Sequence, residues 1–123
     1  MGRVIHFEIH ASDTARAIKF YTDVFDWVIS RWDGPEEYWL VGTGEGIGID
    51  GAIVPREGPE PAVHAPINAS VCTIGVDEID AAAASVAKAG GRIVAEKIHI
   101  PGVGWLCYAN DTEGNTFGMM QRT

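Results

Sequence analysis

Residues 4–28 read VIHFEIHASDTARAIKFYTDVFDWV, a strand-like stretch followed by a helix-like one. Between His6 and His10, polar and apolar side chains alternate, which is typical of a half-buried strand. After Asp13, apolar residues recur every three or four positions, as on one face of a helix. An aspartate in this place accepts hydrogen bonds from the free backbone N–H groups of a first helical turn. We therefore predict a strand, then a helix that starts at Asp13 and ends near Asp26.

The same order occurs again in residues 69–94, which read ASVCTIGVDEIDAAAASVAKAGGRIV. Asp77 stands 64 positions after Asp13 and is the predicted start of the second helix, which Gly90 and Gly91 should end. Three short strand-like runs, separated by turns rich in Gly, Pro and Asp, follow each helix. The predicted strands cover residues 27–32, 37–43, 49–55, 92–99, 103–109 and 115–121.

The duplication predicts an α+β protein made of two βαβββ modules. The first covers about residues 1–56, a proline-rich linker about 57–66, and the second about 67–123. One module leaves a face of its sheet uncovered, whereas two can form a single eight-stranded curved unit around a shared concavity. Within the repeat we match Trp39–Leu40 to Trp105–Leu106, 66 positions apart.

Composition narrows the possible partners of this 123-residue chain, whose length indicates one domain. Its formal net charge of −8 opposes binding to nucleic acid and to anionic membranes. No apolar run is long enough for a membrane span, and the first ten residues do not resemble a signal peptide, so we expect a cytoplasmic protein. We interpret Cys72 and Cys107 as buried thiols in strands rather than a disulfide.

Paired βαβββ modules with these phrases resemble the vicinal oxygen chelate superfamily. That group includes glyoxalase I (lactoylglutathione lyase), bleomycin-resistance proteins, fosfomycin-resistance enzymes and extradiol dioxygenases. The resemblance extends over essentially the whole chain, and the last strand is similar to that of glyoxalase-related proteins. It implies a small-molecule ligand and a homodimer. The phrases that carry it are HFEI at 6–9, AIKFY at 17–21, VD at 76–77, DTEGN at 111–115 and GNTFGMMQ at 114–121.

The resemblance also assigns the positions that hold the metal in the family's enzymes. They correspond here to His6, Ala52, Val71 and Gly118, of which only the histidine can bind a metal. A transition metal needs about three N, O or S donors. We therefore expect neither the usual metal site nor a cofactor, and no glyoxalase I activity. An alternative stays open, in which His6 and Glu8 share an ion with a third donor such as Asp50.

Without a metal, the same positions favour a binding cavity between the two modules. Small side chains at Ala52 and Gly118 would leave space at its centre, into which His6 and Glu8 point. Aromatic rings near that space can stack on a planar ligand, although core or dimer contacts explain them equally well. The predicted ligand-binding residues are Tyr38, Trp39, Ala52, Val71, Thr73, Trp105, Gly118 and Met120.

His6 and Glu8 also suggest an alternative function, because a carboxylate beside an imidazole orients the ring and raises its proton affinity. As catalytic residues they would support acid–base chemistry of an isomerase or lyase type, or dioxygenase-type chemistry with an unusual metal site. A third interpretation assigns them only structural hydrogen bonds to the backbone or to neighbouring strands.

Overall fold

The computed structural model describes residues 2–67 and 70–123. Ala69, the first residue of the second predicted repeat, lies outside the described residues. The chain divides into two compact units, of which one ends at Glu60 and the other begins at Pro61. This boundary falls within residues 57–66, the segment in which the sequence predicts a linker. Among the described helices, none has the length and apolar character needed to cross a bilayer.

Each unit is a βαβββ module with its own four-stranded sheet, which confirms the predicted α+β fold. The sheets have the orders β1-β4-β3-β2 and β5-β8-β7-β6, and in each the first and last strands of the module pair in parallel. The first module contains β1 (His6–Ala11), α1 (Thr14–Phe25), β2 (Val28–Arg31), β3 (Trp39–Gly42) and β4 (Asp50–Pro55). The second contains β5 (Thr73–Gly75), α2 (Ile79–Lys88), β6 (Arg92–Ile100), β7 (Gly104–Asn110) and β8 (Thr116–Arg122).

Helix α1 begins and ends where the sequence predicts. The Asp13 carboxylate accepts a hydrogen bond from the Arg16 backbone N–H at 3.0 Å. At the other end Asp26 takes a left-handed conformation with φ 58°, and its N–H donates to the Thr22 carbonyl at 3.0 Å. These contacts satisfy backbone groups that a helix terminus leaves without partners.

Helix α2 corrects the prediction that Asp77 caps it. The cap position is Glu78, whose side chain makes no capping hydrogen bond. Instead the side-chain Oε1 of Gln121, on β8, accepts a hydrogen bond from the Ile79 backbone N–H at 2.7 Å. The acceptor thus comes from a distant strand, which local spacing does not reveal. The predicted stop at Gly90 is confirmed, because this residue follows the helix with a φ of 96°.

The two faces of β1 have different surroundings, as the alternation predicts. Phe7 and Ile9 are half-buried, and the Phe7 ring lies 5.7 Å from that of Trp27, which stacks on Tyr21 of α1. His6 and Glu8 are exposed on the opposite side. We call this side, away from α1, the open face of the first sheet.

Gly51 of β4 is next to β1 on the face of the sheet that packs against α1, and a side chain would not fit there. Gly51 lies directly opposite Phe7, and a Cβ atom there would collide with the Phe7 carbonyl oxygen and come within 2.6 Å of its ring. The missing side chain therefore allows the aromatic ring to pack between the sheet and α1. A side chain at position 51 would disturb this contact between β1 and β4.

Strand register corrects the predicted match between the two tryptophan-containing strands. Leu40 lies opposite Ala52 in the first sheet, whereas Tyr108 lies opposite Gly118 in the second. Ala52 and Gly118 are equivalent, since their partners on the other side are Glu8 and Thr73 of the first strands. Leu40 therefore corresponds to Tyr108, and the tryptophans do not correspond to each other.

The cysteines agree with the sequence prediction in only one of two cases. Both are free thiols, and Cys107 is buried in β7 as expected. Cys72 is exposed, because it precedes β5, which begins at Thr73. The prediction of a buried Cys72 was therefore wrong.

Candidate functional site

The open face of the first sheet brings three of the predicted site residues together. The Tyr38 hydroxyl lies 2.8 Å from Nε2 of His6 and donates a hydrogen bond to Oε2 of Glu8 at 2.9 Å. The rings of His6 and Tyr38 are almost parallel, 5° apart, with centroids separated by 6.4 Å. A single hydroxyl therefore connects the imidazole and the carboxylate, which lie two positions apart on the same face of β1.

The Tyr38 hydroxyl remains protonated over the ordinary pH range. Burial raises its pKa above the usual 10.0, and the hydrogen bond to Glu8 and the charge of that carboxylate raise the pKa further. Each of these effects disfavours the phenolate. Tyr38 thus acts as a neutral donor and acceptor between its two neighbours.

Trp32 completes this group, and it is not among the site residues predicted from the sequence. Its backbone N–H donates to the Tyr38 carbonyl at 2.8 Å, so the β2–β3 pairing extends to these two residues. The rings meet edge to face at 72°, with centroids 6.0 Å apart, and the Trp32 ring covers the position where Gly34 would carry a Cβ. Counting strand pairs back from the turn at residues 33–37 would have predicted this contact.

Ala52 shares the open face but has no free surface of its own. It lies between Glu8 of β1 and Leu40 of β3, which are its direct partners in the sheet. Its relative exposure is 0%, whereas that of Leu40 is 41%. A ligand on this face would therefore meet the leucine and the polar group before it met the alanine.

Trp39 lies on the opposite face of the first sheet, because consecutive strand residues point to opposite sides. It pairs with Ile53, which is fully buried, and its ring lies 5.8 Å below the Arg31 guanidinium. Its indole N–H donates to Glu37 at 3.0 Å, and Thr14 at the start of α1 donates to the same oxygen at 2.7 Å. The structure thus separates Trp39 from Tyr38.

The acceptor in that bridge, Glu37, is held in its ionised form. The hydrogen bonds from Trp39 and Thr14 lower the pKa of its carboxyl group below the usual 4.5, and the positive charge of Arg31 lowers it further. These contacts connect the start of α1 to the N-terminal end of β3. We assign Trp39 and Glu37 a structural role.

In the second module, Thr73, Gly118 and Met120 share the side of the sheet that carries Tyr108. Val71 stands just before β5 and is half-buried. A Cβ atom at Gly118 would lie 3.0 Å from Thr73 Oγ1 and 3.3 Å from the Tyr108 ring. The side chains on both sides therefore cover most of the space that the glycine leaves.

Trp105 lies on the other side of that sheet, as its alternation with Leu106 and Tyr108 requires. The ammonium group of Lys97 sits 4.8 Å from the indole centroid, and the His99 ring lies at 4.9 Å. Lys97 also forms an ion pair with Asp80 of α2 at 2.9 Å. Trp105 therefore belongs to the helix side of the second module, away from Gly118 and Met120.

The donors at the family's metal positions do not fit a transition-metal site. Ala52 and Gly118 have no donor atoms, and His6 is engaged by Tyr38. Asp50, the possible third donor, accepts hydrogen bonds from the Thr43 N–H and hydroxyl at 2.9 and 3.2 Å. Within residues 2–67 and 70–123, no three His, Cys, Asp or Glu side chains are arranged to hold a metal ion.

Sequence comparisons with known proteins cover almost the whole chain. Residues 3–119 match the model of the Glyoxalase/Bleomycin resistance protein/Dioxygenase superfamily. A glyoxylase-like domain-containing protein from Didymella fabae is 32% identical over 124 residues, which cover 98% of this chain and 94% of that protein.

Solved structures share the fold at lower sequence identity. TnmS3, an antibiotic-binding protein from Streptomyces sp. CB03234, is 21% identical, with a TM-score of 0.70 over 100% of this chain and 98% of its own. The fosfomycin resistance protein FosX from Listeria monocytogenes, in complex with Mn(II) and 1S,2S-dihydroxypropylphosphonic acid, is 13% identical, with a TM-score of 0.76 over 100% and 92%. At these identities the likeness shows the fold alone. The family match and the Didymella relative show more: this chain belongs to the glyoxalase/bleomycin resistance protein/dioxygenase superfamily.

Proposed function

We propose that this protein binds a small organic molecule, without a metal ion, on the open face of the first sheet. The observation that carries the proposal is the hydrogen-bonded chain from His6 through Tyr38 to Glu8, beside the exposed ring of Trp32. Small-molecule sites typically combine an apolar or aromatic wall with a few placed polar groups. Here Trp32 and Leu40 form the apolar and aromatic wall, and the hydrogen-bonded side chains of His6, Tyr38 and Glu8 are the polar groups.

Relatives of the same fold support this class of ligand. TnmS3 is an antibiotic-binding protein, and the FosX structure contains a small phosphonic acid. We extend to this chain only the general class, a small organic molecule. Any closer identification of the ligand depends on the residues of this chain, because the donor atoms of this chain differ from those of a metal enzyme.

Amide NMR spectra recorded during titration with a panel of naphthols, quinones and other aromatic compounds test the proposal. We expect shifts concentrated in β1, β3 and β4, and we expect Leu40→Glu to remove them by placing a charge on the apolar part of the face. Val94→Glu is the matched control, since it changes an apolar strand residue of similar exposure, 48%, in the second module. Shifts confined to other surfaces, or unchanged binding in Leu40→Glu, would contradict the proposed site.

A second function, acid–base catalysis, is supported by the way Tyr38 joins His6 to Glu8. A proton accepted by the imidazole would be stabilised by a carboxylate that is hydrogen-bonded through one hydroxyl. The α-carbon of 2-tetralone, an enolisable aromatic ketone, provides a probe through hydrogen–deuterium exchange in heavy water. We expect faster exchange with the native protein than with His6→Ala or Glu8→Gln. Equal rates for all three would remove the catalytic role and leave ligand binding intact.

The homodimer, the cytoplasmic location and the single domain with a linker at about residues 57–66 stay predictions. Light scattering of the purified chain measures the first directly. A mass of one chain at micromolar concentration would contradict the dimer, and it would leave the proposed site on the first sheet unaffected.

A further inference from the structure

Proton counting gives the direction of each hydrogen bond in the group. A tyrosine hydroxyl has one proton to donate, and a carboxylate only accepts. Because Tyr38 donates to Glu8 at 2.9 Å, its oxygen must accept from His6 across 2.8 Å. The proton of the neutral imidazole therefore lies on Nε2, and Nδ1 carries the free lone pair.

Two acceptor atoms thus remain for a ligand. In the described ranges, neither Nδ1 of His6 nor Oε1 of Glu8 has a hydrogen-bond partner, since the contacts to Tyr38 use the other atom of each group. Both side chains are exposed on the open face. The site therefore offers acceptors, and a matching ligand must bring donors.

The charges on the open face oppose a negatively charged ligand. Arg31 is the one lysine or arginine in β1 to β4, and its guanidinium lies over Trp39 on the opposite face. Glu8 and Asp50 share the open face, because their sheet partners Ala52 and His6 lie there. An anion would meet two carboxylates without a compensating cation among these strands, which costs electrostatic energy.

We propose that the site takes an uncharged aromatic compound with an O–H or N–H donor, and that Nδ1 of His6 accepts its hydrogen bond. This inference rests on the proposed function and names its ligand class. Trp32 provides the aromatic wall. Tyr38 is a positioning residue, because it determines which imidazole nitrogen the ligand meets.

Long-range proton–nitrogen NMR correlations of the imidazoles test the positioning role without any ligand. At about pH 8.5, where an ordinary imidazole is neutral, we expect His6 of the native protein to carry its proton on Nε2. Tyr38→Phe should give a mixture of tautomers, while His64, in the segment before β5, keeps its signals as an internal control. A proton on Nδ1 in the native protein overturns the inference, and an unchanged tautomer in Tyr38→Phe overturns the role of the tyrosine.

Three probes of similar shape test the ligand class: 2-naphthol, 2-methoxynaphthalene and 2-naphthoate. By amide NMR titration, we expect naphthol to bind about 3- to 10-fold more tightly than its methyl ether, the effect of one net hydrogen bond. Naphthoate should bind more weakly than naphthol, and Tyr38→Phe should reduce the difference between naphthol and the ether. Equal binding of naphthol and ether, or tighter binding of naphthoate, overturns the ligand class and leaves the proposed function standing. Absence of binding by all three at the open face counts against both.

Discussion

The hydroxyl group of Tyr38 donates a hydrogen bond to Oε2 of Glu8 across 2.9 Å. Because burial and this carboxylate both raise the tyrosine pKa above 10.0, we predict that Tyr38 ionises later than an ordinary tyrosine. The protonated form is favoured in the folded state, so its contribution to stability is present below pH 10 and is lost as the pH rises through the folded pKa. NMR titration of the tyrosine ring carbons measures this directly. Glu8→Gln should lower the pKa only partly, since burial remains, and a native pKa at or below 10.0 would contradict the structure.

The two tryptophans near β3 should respond differently to substitution. Trp32→Leu removes the ring that meets Tyr38 edge to face, and we expect about 3- to 10-fold weaker binding of 2-naphthol, as aromatic pairs typically contribute. Trp39→Leu acts on the opposite face and should leave the dissociation constant within about twofold, although it breaks the hydrogen bond to Glu37. Amide NMR titration of both variants gives the comparison. A larger loss in Trp39→Leu would show that the assignment of faces is wrong.

Gly51→Ala should destabilise the protein by about 1–3 kcal/mol, because its Cβ would collide with the carbonyl oxygen and ring of Phe7. The carbonyl belongs to the β1 backbone and cannot move aside cheaply. Gly75→Ala is the matched control in β5, where a Cβ meets nothing within 4 Å, and it should change stability by less than about 0.5 kcal/mol. Urea unfolding measures both values. Similar effects of the two substitutions would be inconsistent with close packing at Gly51.

The unusual cap of α2 leads to a prediction about two side chains. Gln121→Ala removes the acceptor of the Ile79 N–H and should cost about 1 kcal/mol, the usual value of a helix cap. Asp77→Ala should change stability by less than about 0.5 kcal/mol, because the residue is not at the cap position. Thermal and urea unfolding of both variants distinguish the two positions. A larger loss of stability for Asp77→Ala than for Gln121→Ala would show that Asp77 caps α2, as the sequence predicted.

Glu37 should make stability depend on acid pH. Its folded pKa is lowered by Trp39 and Thr14, so its contribution is present above pH 4.5 and is lost as the pH falls through the lower folded value. Unfolding midpoints measured from about pH 6 to pH 3 should fall less steeply for Glu37→Gln than for the native protein. Glu36→Gln is the control, because that side chain makes no hydrogen bond within the described residues. Parallel slopes for the native protein and Glu37→Gln would contradict the bridge.

Periodicity was sufficient to predict the modules, because each strand and helix has one face that must be buried. The alternation of polar and apolar residues in β1 is enough to separate Phe7 from His6 and Glu8. The same rule already places the adjacent residues Tyr38 and Trp39 on opposite faces, so the sequence alone could have separated them. The fold brings the tyrosine to the site and leaves the tryptophan on the helix side.

Long-range hydrogen bonds could not be predicted from the sequence. Tyr38 contacts His6 only because β4 lies between β1 and β3 and pairs with both, which sets the register of these two strands relative to each other. Gln121 reaches Ile79 across 42 residues for a comparable reason. Such contacts depend on strand register. The pairing of β3 with β4 and that of β7 with β8 differ in register by two residues, so that Leu40 corresponds to Tyr108 and not to Leu106.

The parallel pairing of β1 with β4 also bears on how the chain acquires its structure during synthesis. His6 finds its partner Asp50 only after the intervening helix and hairpin have left the ribosome. The open face of the first module therefore cannot be complete until its last strand lies between β1 and β3. Nascent chains stopped before β4 should leave the first strand without its partner, and an unpaired strand is prone to aggregation.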